Sequence, residues 1–140
     1  MAIAKTDWEQ YRATNSDILP DIFFRVLQDR DENIETEAED ENGDKTKMIR
    51  AHKILLAGTS PVFKANFFGP MKMTGEVMVV RETTIEAFAT LINFIYWPPG
   101  KPAFSLKHIT CFEELCNIVE ISERYQIMDL KQLAKEAIQN

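Results

Sequence analysis

IRAHKILLAGTSPVFKANFFGPM, residues Ile49 to Met71, carries the densest structural instruction in the chain. It reads as two short helices joined by a sharp corner. Gly58 predicts a left-handed stop for the first helix. Ser60 offers a capping hydroxyl to the next free N–H groups, and Pro61 suits a first turn, where its missing N–H is not needed. Gly69-Pro70 closes the second helix. Ile54, Leu55, Leu56, Val62, Phe63, Phe67 and Phe68 make both helices too apolar to face solvent, so the corner is expected at the centre of a core.

Upstream, Lys45 to Ile49 reads as a strand that delivers the chain into this corner. Its partner is Asp21 to Leu27, a run of Ile, Phe, Phe, Val and Leu bounded by Pro20 and by charges, which fits a mostly buried strand. Asp29 to Asp44 lies between them. Its low hydrophobicity cannot repay the entropy of ordering, so it reads as a solvated hairpin loop with a turn at Asn42-Gly43-Asp44. At the start of the chain, Trp8 and Tyr11 lie three residues apart within Ile3 to Ser16. That spacing allows a short amphipathic helix packed on its own domain or on a partner subunit, or else a partly ordered tail.

Downstream, Val77 to Val80 reads as a short buried strand. Three Thr/Asp-x-x-Glu/Gln spacings follow, Thr83 with Glu86, Thr110 with Glu113 and Asp129 with Gln132, and each predicts a helix start. The first helix places Phe88, Leu91, Ile92 and Ile95 on one face. The second aligns Leu115, Ile118, Val119, Ser122 and Tyr125, and the third buries Leu130, Leu133, Ala134 and Ala137, with Met128 and Leu133 spaced as a hydrophobic staple. Trp97-Pro98-Pro99-Gly100 and Pro102 predict a surface loop or a short edge strand between the first two. Three short strands cannot cover five helices on both sides. The expected fold class is therefore mixed α/β, a cluster of about five helices capped at one end by a small three-stranded sheet.

A length of 140 residues with 45% hydrophobic content fits one globular domain. The net charge of -6 is concentrated in residues 29–44, which hold nine acids and one Arg, so the rest of the chain is close to neutral. Such a body has no electrostatic footprint for nucleic acid or anionic lipid. No apolar run reaches the roughly 20 residues of a membrane helix, and the first ten residues lack the apolar centre of a signal peptide. Two cysteines without CxxC spacing fit a reducing compartment. A soluble protein of the cytoplasm or nucleus, with no membrane partner, is expected.

The sequence makes no positive case for an enzyme. His52 has Asp21 on the preceding strand but no nucleophile in a recognisable elbow, and the plainer role, a hydrogen bond that fixes the end of a strand and the start of a helix, is preferred. His108 lies in or near a surface loop. Cys111 and Cys116, five apart on a helix, point to different faces and read as packed core thiols. There is no phosphate loop, metal cluster or aromatic-basic alternation, so no cofactor, metal or small-molecule substrate is expected. What remains is surface: Phe67, Phe68, Met71 and Met73 crowd around the Gly-Pro turn. Phe67 is expected inside, while Met71 and Met73 stand open between core and exposed edge.

The apolar residue before Ala51-His52-Lys53, the Ile54-Leu55-Leu56-Ala57 run and Ser60-Pro61-Val62-Phe63-Lys64 together resemble the signature of BTB/POZ domains. Asp21 before an apolar strand, Phe88 to Tyr96 and Ala134 to Ile138 match further stations in order, so the resemblance covers about Leu19 to Ile138. It implies a BTB/POZ domain over residues 19–140 with an acidic loop at 29–44, preceded by an extension, 1–18, read as a helix or dimer arm. By resemblance the chain homodimerises and acts as an adaptor that recruits cullin-3 through its N-terminal domain. The alternative is a dimerisation or corepressor-recruiting domain of a transcription factor or scaffold without cullin binding. The resemblance places Trp8, Tyr11, Ile54, Leu55 and Phe63 at the dimer interface, and Asp21, His52 and Lys53 around a buried charged pocket. Phe68, Met71, Met73 and Glu76 become the candidate cullin contact. Cullin-binding members carry an apolar-x-Glu motif there, and Glu76 stands one residue later than that spacing from Met73 requires.

Overall fold

The computed structural model describes residues 19–27, 48–98 and 103–139. The sheet has strands β1 (Ile22–Leu27), β2 (Ile49–Ala51) and β3 (Val77–Arg81), and the helices are α1 (Lys53–Thr59), α2 (Pro61–Phe68), α3 (Ile85–Ile95), α4 (Phe112–Arg124) and α5 (Met128–Gln139). The architecture is the expected one, five helices with a small mixed sheet. Strand order is β2-β1-β3, with β1 antiparallel to β2 (Phe23 opposite Arg50) and parallel to β3 (Phe23 beside Val77). The return strand is seen at Ile49–Ala51. The first residues of the expected Lys45 to Ile49 strand, the acidic 29–44 segment, Trp8 and Tyr11 lie outside the described residues.

One face of the sheet, formed by Ile22, Phe24, Ile49, Ala51 and Val80, is buried in the core. Phe24 sits against Phe88 of α3 (ring centroids 4.8 Å apart) and Phe63 of α2 (5.7 Å). Phe63 in turn stacks on Phe67 (5.6 Å, 4° between planes) and on Tyr125 at the end of α4 (4.3 Å, 17°). These rings join β1, α2, α3 and α4 at one point, and each buried side chain of this size contributes about 1.5–3 kcal/mol from leaving water.

Several local expectations need correction. Gly58 is not left-handed: α1 runs through it to Thr59, the Ser60 N–H bonds to Leu56 O at 2.9 Å, and Gly75 is the only positive-φ glycine among the described residues. Helix starts fall later than Thr83 and Thr110, and earlier than Asp129. Thr84 caps α3 by accepting from the Ala87 N–H at 3.1 Å, Cys111 occupies the cap position of α4 without a side-chain bond, and α5 begins at Met128, which is exposed and so makes no buried staple with Leu133. Strand β3 is not buried throughout, because Val77 and Val79 face outward. The segment before α4 forms no strand among its described residues, and instead of lying wholly on the surface it buries Phe104, Leu106 and Ile109. Cys111 is exposed and Cys116 partly so, which removes the core-thiol reading for Cys111.

Helix α4 ends in a Schellman arrangement. The Ile127 N–H bonds to Ser122 O (2.9 Å) and the Gln126 N–H to Glu123 O (3.1 Å), with Gln126 at φ 58° in the position that usually falls to glycine. This turn reverses the chain so that Leu130 and Ala134 of α5 are buried beside Ile118 and Ile121 of α4 in one core.

Burial of Tyr125 raises its phenol pKa above the ordinary value, and the neighbouring Arg124 guanidinium offsets part of the rise. The fold therefore holds the neutral phenol. Below about pH 10, the unfolded value, this preference is satisfied and stability is unaffected. Above it the unfolded chain ionises first, so stability falls as pH rises from there through the raised folded value. Urea midpoints compared at pH 9 and pH 11 should drop, and Tyr125→Phe should flatten the drop. An equal alkaline loss in that variant would contradict the assignment.

Candidate interaction surface

The Ala51-His52-Lys53 joint holds the start of α1 from two directions. His52 takes an extended conformation and its side chain makes no cap bond to α1. The cap comes from across the sheet, where Asp21 at the entrance to β1 accepts from the Lys53 backbone N–H at 2.8 Å. The His52 backbone N–H donates to the Tyr96 hydroxyl at 2.7 Å, and that hydroxyl also bonds His52 Nδ1 at 2.6 Å. Tyr96 follows α3, so α1 is fastened to β1 through Asp21 and to α3 through Tyr96. His52 thus fixes a strand-to-helix joint, but its bond runs to a tyrosine far along the chain instead of to the end of the strand.

Asp21, His52 and Lys53 do come together. In the single chain they do not form a buried charged pocket: Asp21 is exposed, its carboxylate meets the Lys53 main chain, and the Lys53 ammonium lies 5.8 Å from the Phe67 ring centroid in a cation–π position. This placement lets the lysine stem cover Phe67 while the charge stays near water.

The two central helices divide their apolar residues between core and solvent. Leu56, Phe63 and Phe67 point inward, the last two one turn apart, whereas Ile54 is 74% exposed, Leu55 is exposed and Phe68 is 57% exposed. Phe63 is wholly enclosed between Phe67, Tyr125 and Phe24 of its own chain, so it cannot be the dimer contact that the resemblance implied. Ser60, buried at the corner, accepts from the Phe63 N–H (3.1 Å) and donates to the Tyr125 carbonyl (2.6 Å), which sets the angle between the helices.

The exit from α2 is fixed as firmly. A Cβ on Gly69 would lie 2.6 Å from Ala65 O, so only glycine lets the chain leave at this angle. The Met73 N–H bonds to Asn66 O (2.8 Å) and the Lys72 N–H to Gly69 O (3.2 Å). Met71 is held at the tip, 91% exposed, while Met73 turns back against the core. Glu76 is exposed, and its carbonyl accepts from the Phe23 N–H at 2.7 Å, which anchors the end of the connection to β1.

Nothing in this arrangement assembles a reactive centre: the imidazole of His52 is engaged by a phenol, and among the described residues no group of three or more His, Cys, Asp or Glu could hold a metal ion. The arrangement instead presents large apolar side chains at fixed positions on a rigid corner. Tyr96 is the residue that sequence reasoning missed as an organiser of this surface, and of Ser60 it found the cap but not the bond to the Tyr125 carbonyl.

Residues 39–140 match the family model of the BTB/POZ domain. TD and POZ domain-containing protein 1 of Mus musculus is 30% identical over 91 residues, 64% of this chain and 23% of that protein. BTB/POZ and MATH domain-containing protein 3 of Arabidopsis thaliana is 40% identical over 55 residues, 39% of this chain and 13% of the plant protein. The matched region thus spans less than a quarter of the length of these curated relatives. Among solved structures, the BTB domain of zebrafish PATZ1 is similar in fold, with a TM-score of 0.58 at 16% identity, covering 96% of this chain and 92% of that one.

Proposed function

The chain belongs to the BTB/POZ family of protein–protein interaction modules, and from that premise we propose that it is a homodimerising adaptor that recruits the N-terminal domain of cullin-3. The observation that carries the reading is the exposure of Ile54, Leu55, Phe68 and Met71 on a corner held at its start by Asp21, at its middle by Ser60 and at its exit by the Met73–Asn66 bond. Side chains of this size left in water on rigid helices are best explained by a partner. Isologous pairing about a two-fold axis covers such a surface with a second copy of itself, and Ile54 and Leu55 are assigned to that contact. Asp21, His52 and Lys53 would then be covered by the pairing, and Phe68 and Met71 at the exit from α2 would remain for the cullin.

Light scattering should return twice the chain mass of 16.1 kDa. Ile54→Asp with Leu55→Asp should return a single chain mass at micromolar concentration with an unchanged helical spectrum, because each dimer would bury four unpaired carboxylates. A monomeric parent protein would sink the dimer. Titration calorimetry with the cullin-3 N-terminal domain should show binding with Kd on the order of tens of micromolar or tighter, lost in Phe68→Glu and Met71→Glu variants that stay dimeric. A dimer that gives no heat supports the second reading, a corepressor-recruiting or scaffold dimerisation domain. The late position of Glu76 relative to the apolar-x-Glu spacing favours that second reading.

A further inference from the structure

The order β2-β1-β3 leaves β3 at an edge of the sheet, with β1 as its one neighbour. The Phe23 N–H donates to Glu76 O at 2.7 Å while Phe23 lies beside Val77, and this register fixes which main-chain groups of β3 are used. Met78 and Val80 turn theirs toward β1, whereas Val77, Val79 and Arg81 turn theirs away from it. Among the described residues no hydrogen bond engages those of Val77 and Val79. The Arg81 carbonyl differs, because the Arg124 guanidinium donates to it at 2.8 Å and to Glu82 O at 3.0 Å. Positive φ at Gly75 (87°) and Glu82 (60°) ends the extended backbone on either side. The open edge is therefore short: Val77 and Val79, with side chains 41% and 43% exposed.

We propose that this edge pairs antiparallel with the same edge of a second copy, joining two three-stranded sheets into one at a contact distinct from the α1–α2 corner. The available donors and acceptors select both the occupant and the register. In a hydrogen-bonded antiparallel pair each residue gives its N–H and accepts through its C=O. Registers centred on Val79 or Val80 need the Arg81 carbonyl, which Arg124 already occupies, and the first of them also sets Glu76 opposite Glu82, like charges face to face. A register centred on Val77 brings Val79 against Gly75, where the backbone is no longer extended. The register centred on Met78 uses only the open groups. In it Val77 of each copy exchanges both bonds with Val79 of the other, the valines of the two copies gather on the side away from the helices, and Glu76 faces Val80 instead of an acid. A second copy fits because each edge stops where the other does. So small a contact is weak by itself, and it adds to the corner pairing at high concentration by linking dimers into longer arrays.

The test begins from the full chain carrying Ile54→Asp and Leu55→Asp, which disable the corner. Its mass by sedimentation equilibrium should rise from one chain toward two as the concentration is raised to about 1 mM. Adding Val79→Pro should abolish the rise at an unchanged melting temperature, because proline lacks the N–H that points away from β1 and spares the ladder inside the sheet. Val79→Thr, which keeps the N–H and the branched side chain, should preserve it. Register is read by oxidative cross-linking after Cys111→Ser and Cys116→Ser. A mixture of Val77→Cys and Val79→Cys proteins should give the mixed disulfide at least about five-fold over either like pair, since only unlike positions lie opposite each other, about 5.5 Å apart between Cα atoms. A mass that stays at one chain, an equal rise in the Val79→Pro variant, or equal cross-linking of like and unlike positions would overturn the proposal. None of these outcomes involves the corner, so failure of the adaptor reading leaves them unchanged.

Discussion

Phe63→Ala should destabilise the domain by about 3–5 kcal/mol, the range for emptying a fully enclosed aromatic site. The ring touches Phe24, Phe67 and Tyr125, which belong to β1, α2 and the end of α4, so its removal opens a cavity where three elements meet. No single neighbour can close it, because the stacks on either side are held by separate backbones. The loss is a large fraction of the total stability of a domain of this size. Urea unfolding followed by circular dichroism measures it directly. Phe68→Ala, one residue from the same helix end but 57% exposed, serves as the contrast and should cost well under about 1 kcal/mol. Similar losses for the two would mean that α2 is rotated from the orientation described.

Ser60→Ala should cost about 2–4 kcal/mol, far more than an ordinary helix cap. A lost cap alone accounts for about 1 kcal/mol. The same hydroxyl also donates to Tyr125 O at 2.6 Å, and in the alanine variant that carbonyl is left buried with its donor removed, at about 1–3 kcal/mol. The expected fall in melting temperature is on the order of 10 °C. Ser60→Gly should recover most of the cap, which glycine tolerates well, but not the bond to Tyr125 O, so it should lose about 1–3 kcal/mol. A loss below about 1 kcal/mol in both variants would show that water reaches the carbonyl and that Ser60 acts only as a cap.

These residues also show what could be read from the chain in advance. Ser60-Pro61 was legible because a cap and a first-turn proline are local chemistry, and the inward pair Phe63 and Phe67 follows from helical spacing. Phe68, one residue on and about 100° further round, was placed in the core with them because counting apolar residues does not reveal which side a neighbour covers. Gly58 misled because glycine permits a left-handed stop without requiring one, and here the helix bond from Ser60 to Leu56 continues past it. Adjacent threonines at 83 and 84 offer two registers for a cap, and Thr84 took it because its hydroxyl reaches the Ala87 N–H, while Thr83 is buried. The Asp21–Lys53 and His52–Tyr96 bonds span 32 and 44 residues, and nothing local encodes them. The candidate surface was legible in its residues, Ile54, Leu55, Phe68 and Met71, but not in its division from the core. Phe63 fell on the wrong side of that line.

The parallel pairing of β1 with β3 bears on how quickly the domain forms. Phe23 and Val77 are about 54 positions apart, and the whole α1–α2 corner lies between them. Closing such a span before anything within it has condensed loses chain entropy with no contacts in return, so the efficient route folds the corner first and lets β3 zip alongside β1 afterwards. On that route a change at Leu56 or Phe63 slows refolding, whereas a change at Val80 leaves the refolding limb of a chevron in place and steepens escape from the native state. The strand that completes the sheet is then the last to arrive and the first to leave.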